Sequence, residues 1–162
     1  MDKANTFRIN PLGGALDGAT TVPGDKSISH RAVLFSAMAQ GTSRLTGVLD
    51  SADVRASIAA VKALGAEVSM ERQIDGSLAG GITGWGEKGP KQPEAPIDCA
   101  NSGTTARLLM GILAPWDIRV EITGDESLIK RPMRRIIAPL MKMGVRFEPD
   151  AKENLPITEI GN

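Results

Sequence analysis

The chain has 162 residues, and its 19 Lys plus Arg balance its 19 Asp plus Glu to a formal net charge of zero. That balance gives no support for a nucleic-acid surface. One cysteine (Cys99) and one histidine (His30) exclude an intrachain disulfide and a Cys/His metal cluster. The N-terminus lacks the long apolar run of a signal peptide, and no uncharged stretch approaches bilayer length. The expectation is a soluble, cytoplasmic protein with no membrane partner.

Taken in chain order, Thr6–Ile9 reads as a short strand, followed by the turn-rich P11-L-G-G14 and a second strand at Thr20–Val22. A turn at Pro23-Gly24-Asp25 leads into a helix over Ser29–Ala39, stopped by Gly41. Ser43–Leu49 alternates as a strand. Asp50 or Ser51 can cap a helix over Ala52–Leu64, whose apolar positions include Val54, Ile58, Val61 and Leu64. Gly65 ends it, and strands follow at Glu67–Arg72 and Gln73–Thr83. The order then recurs. Ile97–Ala100 is a strand, N101-S-G-T104 a turn capping a helix over Thr105–Ala114, and Arg119–Thr123 a strand. Leu128–Met143 reads as a helix with Pro132 in its first turns, and Val145–Glu148 and the L155-P-I-T-E-I-G-N162 end as strands.

The two halves correspond in detail. A63-L-G-A-E-V68 parallels K142-M-G-V-R-F147, Leu45-Thr46-Gly47 parallels Ile122-Thr123-Gly124, and Arg31 and Arg107 both sit early in an apolar helix. This is a β-α-β-α-β-β unit repeated with a period of roughly 77 residues. The expected fold class is α/β, with helices burying one sheet face. Residues 1–21 are expected to form an N-terminal strand segment, and residues 22–162 two such units, about 22–90 and 91–162. The second unit ends as its last strand pair forms, the pattern of a truncated chain.

Three segments carry anion-compatible chemistry. In V22-P-G-D-K-S-I-S-H-R31, Ser27 or Ser29 can cap the helix, and the remaining amide donors and the positive helix end attract anions. Lys26 supplies a point charge and Arg31 a fork suited to phosphate or carboxylate. The same residues also fit a plain capped helix, with Lys26 in solvent and Arg31 in an ordinary ion pair. His30 is read as structural or hydrogen-bonding. In C99-A-N-S-G-T-T-A-R-L-L-M110, Gly103 permits close backbone approach, while Ser102, Thr104 and Thr105 offer hydroxyls at an equivalent helix start. A plain Gly/Ser/Thr cap with Asn101 bracing the turn fits these residues equally, and Arg107, among apolar neighbours, reads as a buried brace rather than a ligand. In G124-D-E-S-L-I-K-R-P-M133, Lys130 and Arg131 fall in the first turns of the expected helix, where cations oppose the helix dipole. An anionic ligand would account for that placement, and Arg131, stiffened by Pro132, is the choice. The G76–G89 run lacks both the phosphate-loop and the dinucleotide patterns and reads as hairpin and loop, with Trp85 as packing.

P23-G-D-K-S-I-S-H-R31, N101-S-G-T-T-A-R-L-L109 and G124-D-E-S-L-I-K-R-P-M133 resemble, in order and separation, the 5-enolpyruvylshikimate-3-phosphate synthase (3-phosphoshikimate 1-carboxyvinyltransferase) family, in its N-terminal portion. The resemblance implies a transferase of the shikimate pathway of aromatic amino-acid biosynthesis. In that reaction the 5-hydroxyl of shikimate 3-phosphate attacks C2 of phosphoenolpyruvate, and the tetrahedral intermediate loses phosphate. No metal or organic cofactor is implied. By resemblance Lys26 is catalytic and touches both substrates, Ser27 and Arg31 hold shikimate 3-phosphate, and Thr104 lies near it. Gly103 and Arg131 lie on the phosphoenolpyruvate side, where glyphosate also binds in family members. Family enzymes are much longer, with two lobes of three such units each. The serine-serine-glutamine segment of this lobe and the whole second lobe are missing here. The isolated chain is therefore expected to be inactive, or to need a complementary C-terminal portion. A phosphate-ligand binding fragment without turnover is the other alternative.

Overall fold

Behind the Pro23-Gly24-Asp25 turn the chain winds into α1 (Lys26–Met38) in the computed structural model, which describes residues 8, 13–15, 17–148 and 153–162. There follow β1 (Gln40–Val48), α2 (Ala52–Ala63), β2 (Glu67–Arg72), β3 (Leu78–Trp85) and a single 3-10 turn at Gly86–Lys88. After these come β4 (Ile97–Asp98), α3 (Gly103–Leu113), β5 (Arg119–Thr123) and a 3-10 turn at Leu128–Lys130. The last elements are α4 (Arg134–Lys142), β6 (Arg146–Glu148) and β7 (Ile157–Ile160). Among the described residues no helix is long and apolar enough to cross a membrane.

The strands form two sheets, in the orders β1-β3-β2 and β4-β5-β7-β6. All pairings are antiparallel except β4 with β5. In each sheet a late strand lies between two earlier ones: β3 between β1 and β2, β7 between β5 and β6. The helices cover one face of the sheets, and their aliphatic stripes meet in one continuous core. Val33 and Leu34 of α1, Val54 and Val61 of α2, and Leu109 and Leu113 of α3 pack there with Ile82, Val120 and Phe147 from the strands. The fold is α/β. The matching helix–glycine–strand steps are both left-handed turns, with Gly65 at φ 94° after α2 and Gly144 at φ 102° after α4.

Several boundaries differ from the sequence reading, each for a physical reason. The strand expected at Thr6–Ile9 falls outside the described residues, Arg8 apart, as does the first half of the 11–14 turn. Thr20–Val22 is not a strand; all three residues are exposed and pair with no neighbour in either sheet. Helix α1 starts earlier than Ser29, because Asp25 rather than Ser27 or Ser29 caps it. Strand β3 starts only at Leu78, because Gln73–Ser77 closes a turn in which the Gln73 amide donates to the Ser77 carbonyl at 2.8 Å. The helix expected over Leu128–Met143 is broken. Arg131 is extended (φ −82°, ψ 132°), as the residue before a proline is driven to be, so a single 3-10 turn and α4 replace it.

One core position is chemically out of place. Glu159 on β7 is 1% exposed, pairs across to Val120 and Phe147, and neither carboxylate oxygen has a hydrogen-bond partner among the described residues. Burial pushes its pKa up to about 8, so it sits protonated in the core near neutrality. An acid raised in this way makes stability depend on pH in the sense opposite to that of an ion-paired carboxylate. The unfolded chain ionises first, so stability falls as pH rises from the ordinary carboxyl range to about 8, and the loss is complete above that. Urea unfolding from pH 5 to pH 9 is expected to show this decline, on the order of a few kcal/mol in total. Glu159→Leu should remove that component and be the more stable protein at the alkaline end.

Candidate functional site

The start of α1 is held from two sides. Asp25 accepts the Ile28 amide at 2.7 Å, while the Ser29 hydroxyl donates to the Asp25 carbonyl at 2.7 Å and accepts the Leu49 amide at 2.9 Å. Gly24 lies flat against β1, where a Cβ would stand 2.1 Å from the Gly47 carbonyl oxygen. This anchoring leaves Lys26 and Ser27 in an exposed first turn. The Lys26 ammonium reaches Asp53 Oδ2 at 2.8 Å and is half exposed. Ser27 and Arg31 are exposed, and their side chains make no hydrogen bond or ion pair with another described residue.

The start of α3 is built differently. Ser102 caps it by accepting the Thr105 amide at 3.1 Å. Ahead of it Ala100 adopts φ 48°, a left-handed conformation that costs a non-glycine residue roughly 1 kcal/mol. Its amide is held by Asp98 Oδ1 at 2.8 Å and its carbonyl by the Asp125 amide at 2.8 Å. Two guanidinium groups close on Gly103. Arg107 donates to the Gly103 carbonyl and, across the chain, to the Pro132 carbonyl, both at 3.3 Å. Arg131 donates to Asn101 Oδ1 at 2.7 Å and to Ser127 Oγ at 3.2 Å. A Cβ on Gly103 would lie 2.6 Å from Arg107 Nη1 and 3.5 Å from Arg131 Nη1.

Asn101 is the hinge of this arrangement. Its amide nitrogen donates to Asp125 Oδ2 at 2.7 Å, which orients its oxygen toward Arg131. Hydrogen bonds from Asn101 and then from the Leu128 amide hold the Asp125 carboxyl below its ordinary range. Asp125 also accepts the Ser127 and Leu128 amides, so it caps the 3-10 turn that presents Arg131. The dipole rationale for Arg131 lapses with the broken helix. The side chain nonetheless reaches the start of α3.

Between the two starts lies α2. Asp53 in its first turn holds Lys26 with its carboxylate, and its backbone carbonyl accepts the Thr105 hydroxyl of α3 at 3.3 Å. Thr105 Oγ1 also lies 2.7 Å from Ser102 Oγ and 2.8 Å from Ser57 Oγ of α2, which in turn lies 2.8 Å from His30 Nδ1 of α1. All four side chains are buried. Burial lowers the His30 pKa, Asp53 opposing and Lys26 adding to the effect, so the ring is neutral at neutral pH.

The predicted residues thus fall into two groups bridged by α2. Lys26, Ser27 and Arg31 belong to α1; Gly103, Thr104 and Arg131 gather at the start of α3. Arg107 hydrogen-bonds to the Pro132 and Gly103 carbonyls, but it is half-buried where the sequence reading expected a buried brace. Cys99 is buried, and burial pushes its thiol up to about 12, so it is no nucleophile near neutrality. Asp53, Ser57 and the partner role of Asn101 escaped sequence reading; only the helix register of Ser57, under two turns behind its cap, hinted at an inward face. A cavity of about 620 Å³ lined by Gln40, Trp85 and Lys91 lies at the other end of β1 and shares no residue with this site.

The chain is α/β, and it carries cations and hydroxyls at two helix starts bridged by α2, side chains whose chemistry is compatible with anions. Its residues 12–161 match the family described as EPSP synthase (3-phosphoshikimate 1-carboxyvinyltransferase), and the chain belongs to that family. It is 48% identical over 148 residues to 3-phosphoshikimate 1-carboxyvinyltransferase of Parvibaculum lavamentivorans, covering 91% of this chain and 32% of that protein. To the protein of the same name from Alkalilimnicola ehrlichii it is 44% identical over 157 residues, covering 96% and 34%. The solved EPSP synthase of Acinetobacter baumannii superposes with a TM-score of 0.79 at 40% identity, over 90% of this chain and 32% of that one. The chain therefore spans about a third of the length of the relatives it matches.

Two glycines in the site give opposite expectations. At Gly24 an added Cβ meets a backbone carbonyl that cannot yield, whereas at Gly103 it meets the movable tip of Arg107. Gly24→Ala is expected to lower stability by roughly 2 kcal/mol or more, and Gly103→Ala by less than about 1 kcal/mol. Urea midpoints of the two variants check the contrast.

Proposed function

We propose that this chain is the N-terminal part of a transferase that moves the enolpyruvyl group from phosphoenolpyruvate to the 5-hydroxyl of shikimate 3-phosphate, releasing phosphate in the cytoplasm. The observation that carries the reading is Asp53, which ties the start of α1 to the start of α3. Lys26 is thereby linked, through Asp53, to the helix that begins beside Gly103 and Arg131. Ser27 and Arg31, free of other described partners, take the shikimate 3-phosphate. Thr104 lies beside it, and Gly103 and Arg131 take the phosphoenolpyruvate. Lys26 serves both: on substrate arrival its ammonium leaves Asp53 for the anions. Both substrates carry phosphate and carboxylate, which suits a cationic wall. Glyphosate, as an anion, would compete on the Gly103 and Arg131 side. In this reading residues 22–90 and 91–162 are two repeat units of one lobe, with 1–21 as the crossover segment.

A second reading, a complementing subunit of a split enzyme, is favoured by the outer face of α1. Ile28 and Phe35 are each 60% exposed and Met38 39%, one stripe at helical spacing with no described segment over it. A C-terminal portion carrying the other lobe would cover such a stripe and supply the missing acid–base groups.

Phosphate release from shikimate 3-phosphate and phosphoenolpyruvate decides between these outcomes. The chain alone is expected to be inactive, and a mixture with the C-terminal two-thirds of a close relative to turn over. In that mixture Lys26→Ala should lower kcat/KM on the order of 100-fold. Turnover by the chain alone would contradict the inactive-fragment reading. Tight shikimate 3-phosphate binding with no turnover in any mixture would leave a binding fragment instead.

A further inference from the structure

The buried hydroxyl chain beneath the site has a definite proton order. Four contacts must be served: His30 Nδ1 to Ser57, Ser57 to Thr105, Ser102 to Thr105, and Thr105 to the Asp53 carbonyl. The last has only one direction, since a carbonyl cannot donate. If Thr105 gives its single proton to Asp53, then Ser57 and Ser102 must each donate to Thr105, whose two lone pairs they fill. Ser57 has then spent its proton, and His30 must donate from Nδ1. All four contacts are served, and the only unfilled group is the lone pair of His30 Nε2, which has no partner among the described residues.

The reverse order is worse on two counts. If Ser57 donates to His30, Thr105 must donate to Ser57, and two oxygens then face each other at 3.3 Å with no proton between Thr105 and Asp53. The imidazole proton moves to Nε2, where it is a buried donor with no acceptor. Orphaned buried N–H groups are rarer and more costly than under-filled acceptors.

We propose that His30 is held as the neutral Nδ1–H tautomer and acts as a positioning residue. It orders the Ser57–Thr105–Ser102 relay that fixes the Asp53 carbonyl, and hence the spacing between the Lys26 and Gly103 walls. The assignment of those walls to substrates rests on the function proposed above; the tautomer and the relay do not.

Because His30 is the chain's sole histidine, long-range ¹H–¹⁵N spectra contain one imidazole and read its tautomer without assignment. The expected wild-type spectrum has Nδ1 protonated and Nε2 bare. In Thr105→Val, Ser57 is released to donate to the ring, and the Nε2–H form is expected to appear together with a shifted Asp53 carbonyl ¹³C signal. His30→Asn places an amide N–H where Nδ1–H stood and should keep the Asp53 signal, whereas His30→Leu should move it. A wild-type ring protonated at Nε2, or one indifferent to Thr105→Val, overturns the proposal. Shikimate 3-phosphate affinity gives the functional readout. It should weaken by about tenfold in His30→Leu and recover to within about threefold of wild type in His30→Asn. Equal weakening in both, with circular dichroism showing folded protein, would contradict positioning. A wild-type chain that binds no shikimate 3-phosphate removes the functional reading, and the relay is then judged on the imidazole and Asp53 signals alone.

Discussion

The Asp53 carboxylate holds the Lys26 ammonium while its backbone carbonyl receives the Thr105 hydroxyl, so one residue of α2 ties together the starts of α1 and α3. The two links differ in kind. The ion pair is half exposed and screened by solvent, and such pairs contribute about 0–1 kcal/mol. The Thr105 link belongs to a buried network, where leaving a polar group unfilled costs more than the bond itself contributes. The spacing of the helices is therefore set by the buried hydroxyls. Lys26, by contrast, can change partners at little cost.

Charge is left uncompensated on the α3 side. Arg107 hydrogen-bonds to backbone carbonyls, and Arg131 to Asn101 and Ser127; neither meets a carboxylate directly among the described residues. Asp125 acts at one remove, through the Asn101 amide. Two guanidinium groups positioned by neutral acceptors keep most of their field for a third party. At Gly103 the nearest atoms a Cβ would crowd are those of the guanidinium groups themselves.

Much of this was legible in the chain. Hydrophobic period and glycine stops placed α2, β2, α3 and β5 to within about two residues, and the paired helix–glycine–strand steps coincide with two left-handed glycines. The second and third motif segments meet directly through Arg107, Arg131 and Asn101, and the first is linked to the second through Asp53 of α2. What escaped had both local and tertiary causes. The Asp25 cap competes with Ser27 and Ser29, which are equally good cap formers by composition. Pro132 was tolerable early in a helix, yet its effect on Arg131 before it broke that helix. Ser57 and Thr105 are ordinary helix residues until α1, α2 and α3 are packed, and only then do their hydroxyls meet. Glu159 reads as an outward strand residue, and its burial depends on which face of β7 the core takes.

The strand order of the sheets bears on how the chain is made. Because β7 lies between β5 and β6, neither of those strands can hydrogen-bond to its sheet neighbour on that side until Ile157–Ile160 has been synthesised. The same holds earlier for β1 and β2, which wait for β3. Helices α1 and α2 can form locally as they leave the ribosome, but each sheet closes in a single late event that inserts its middle strand. Until then the growing chain carries open strand edges, the state in which a nascent protein is most exposed to wrong pairing.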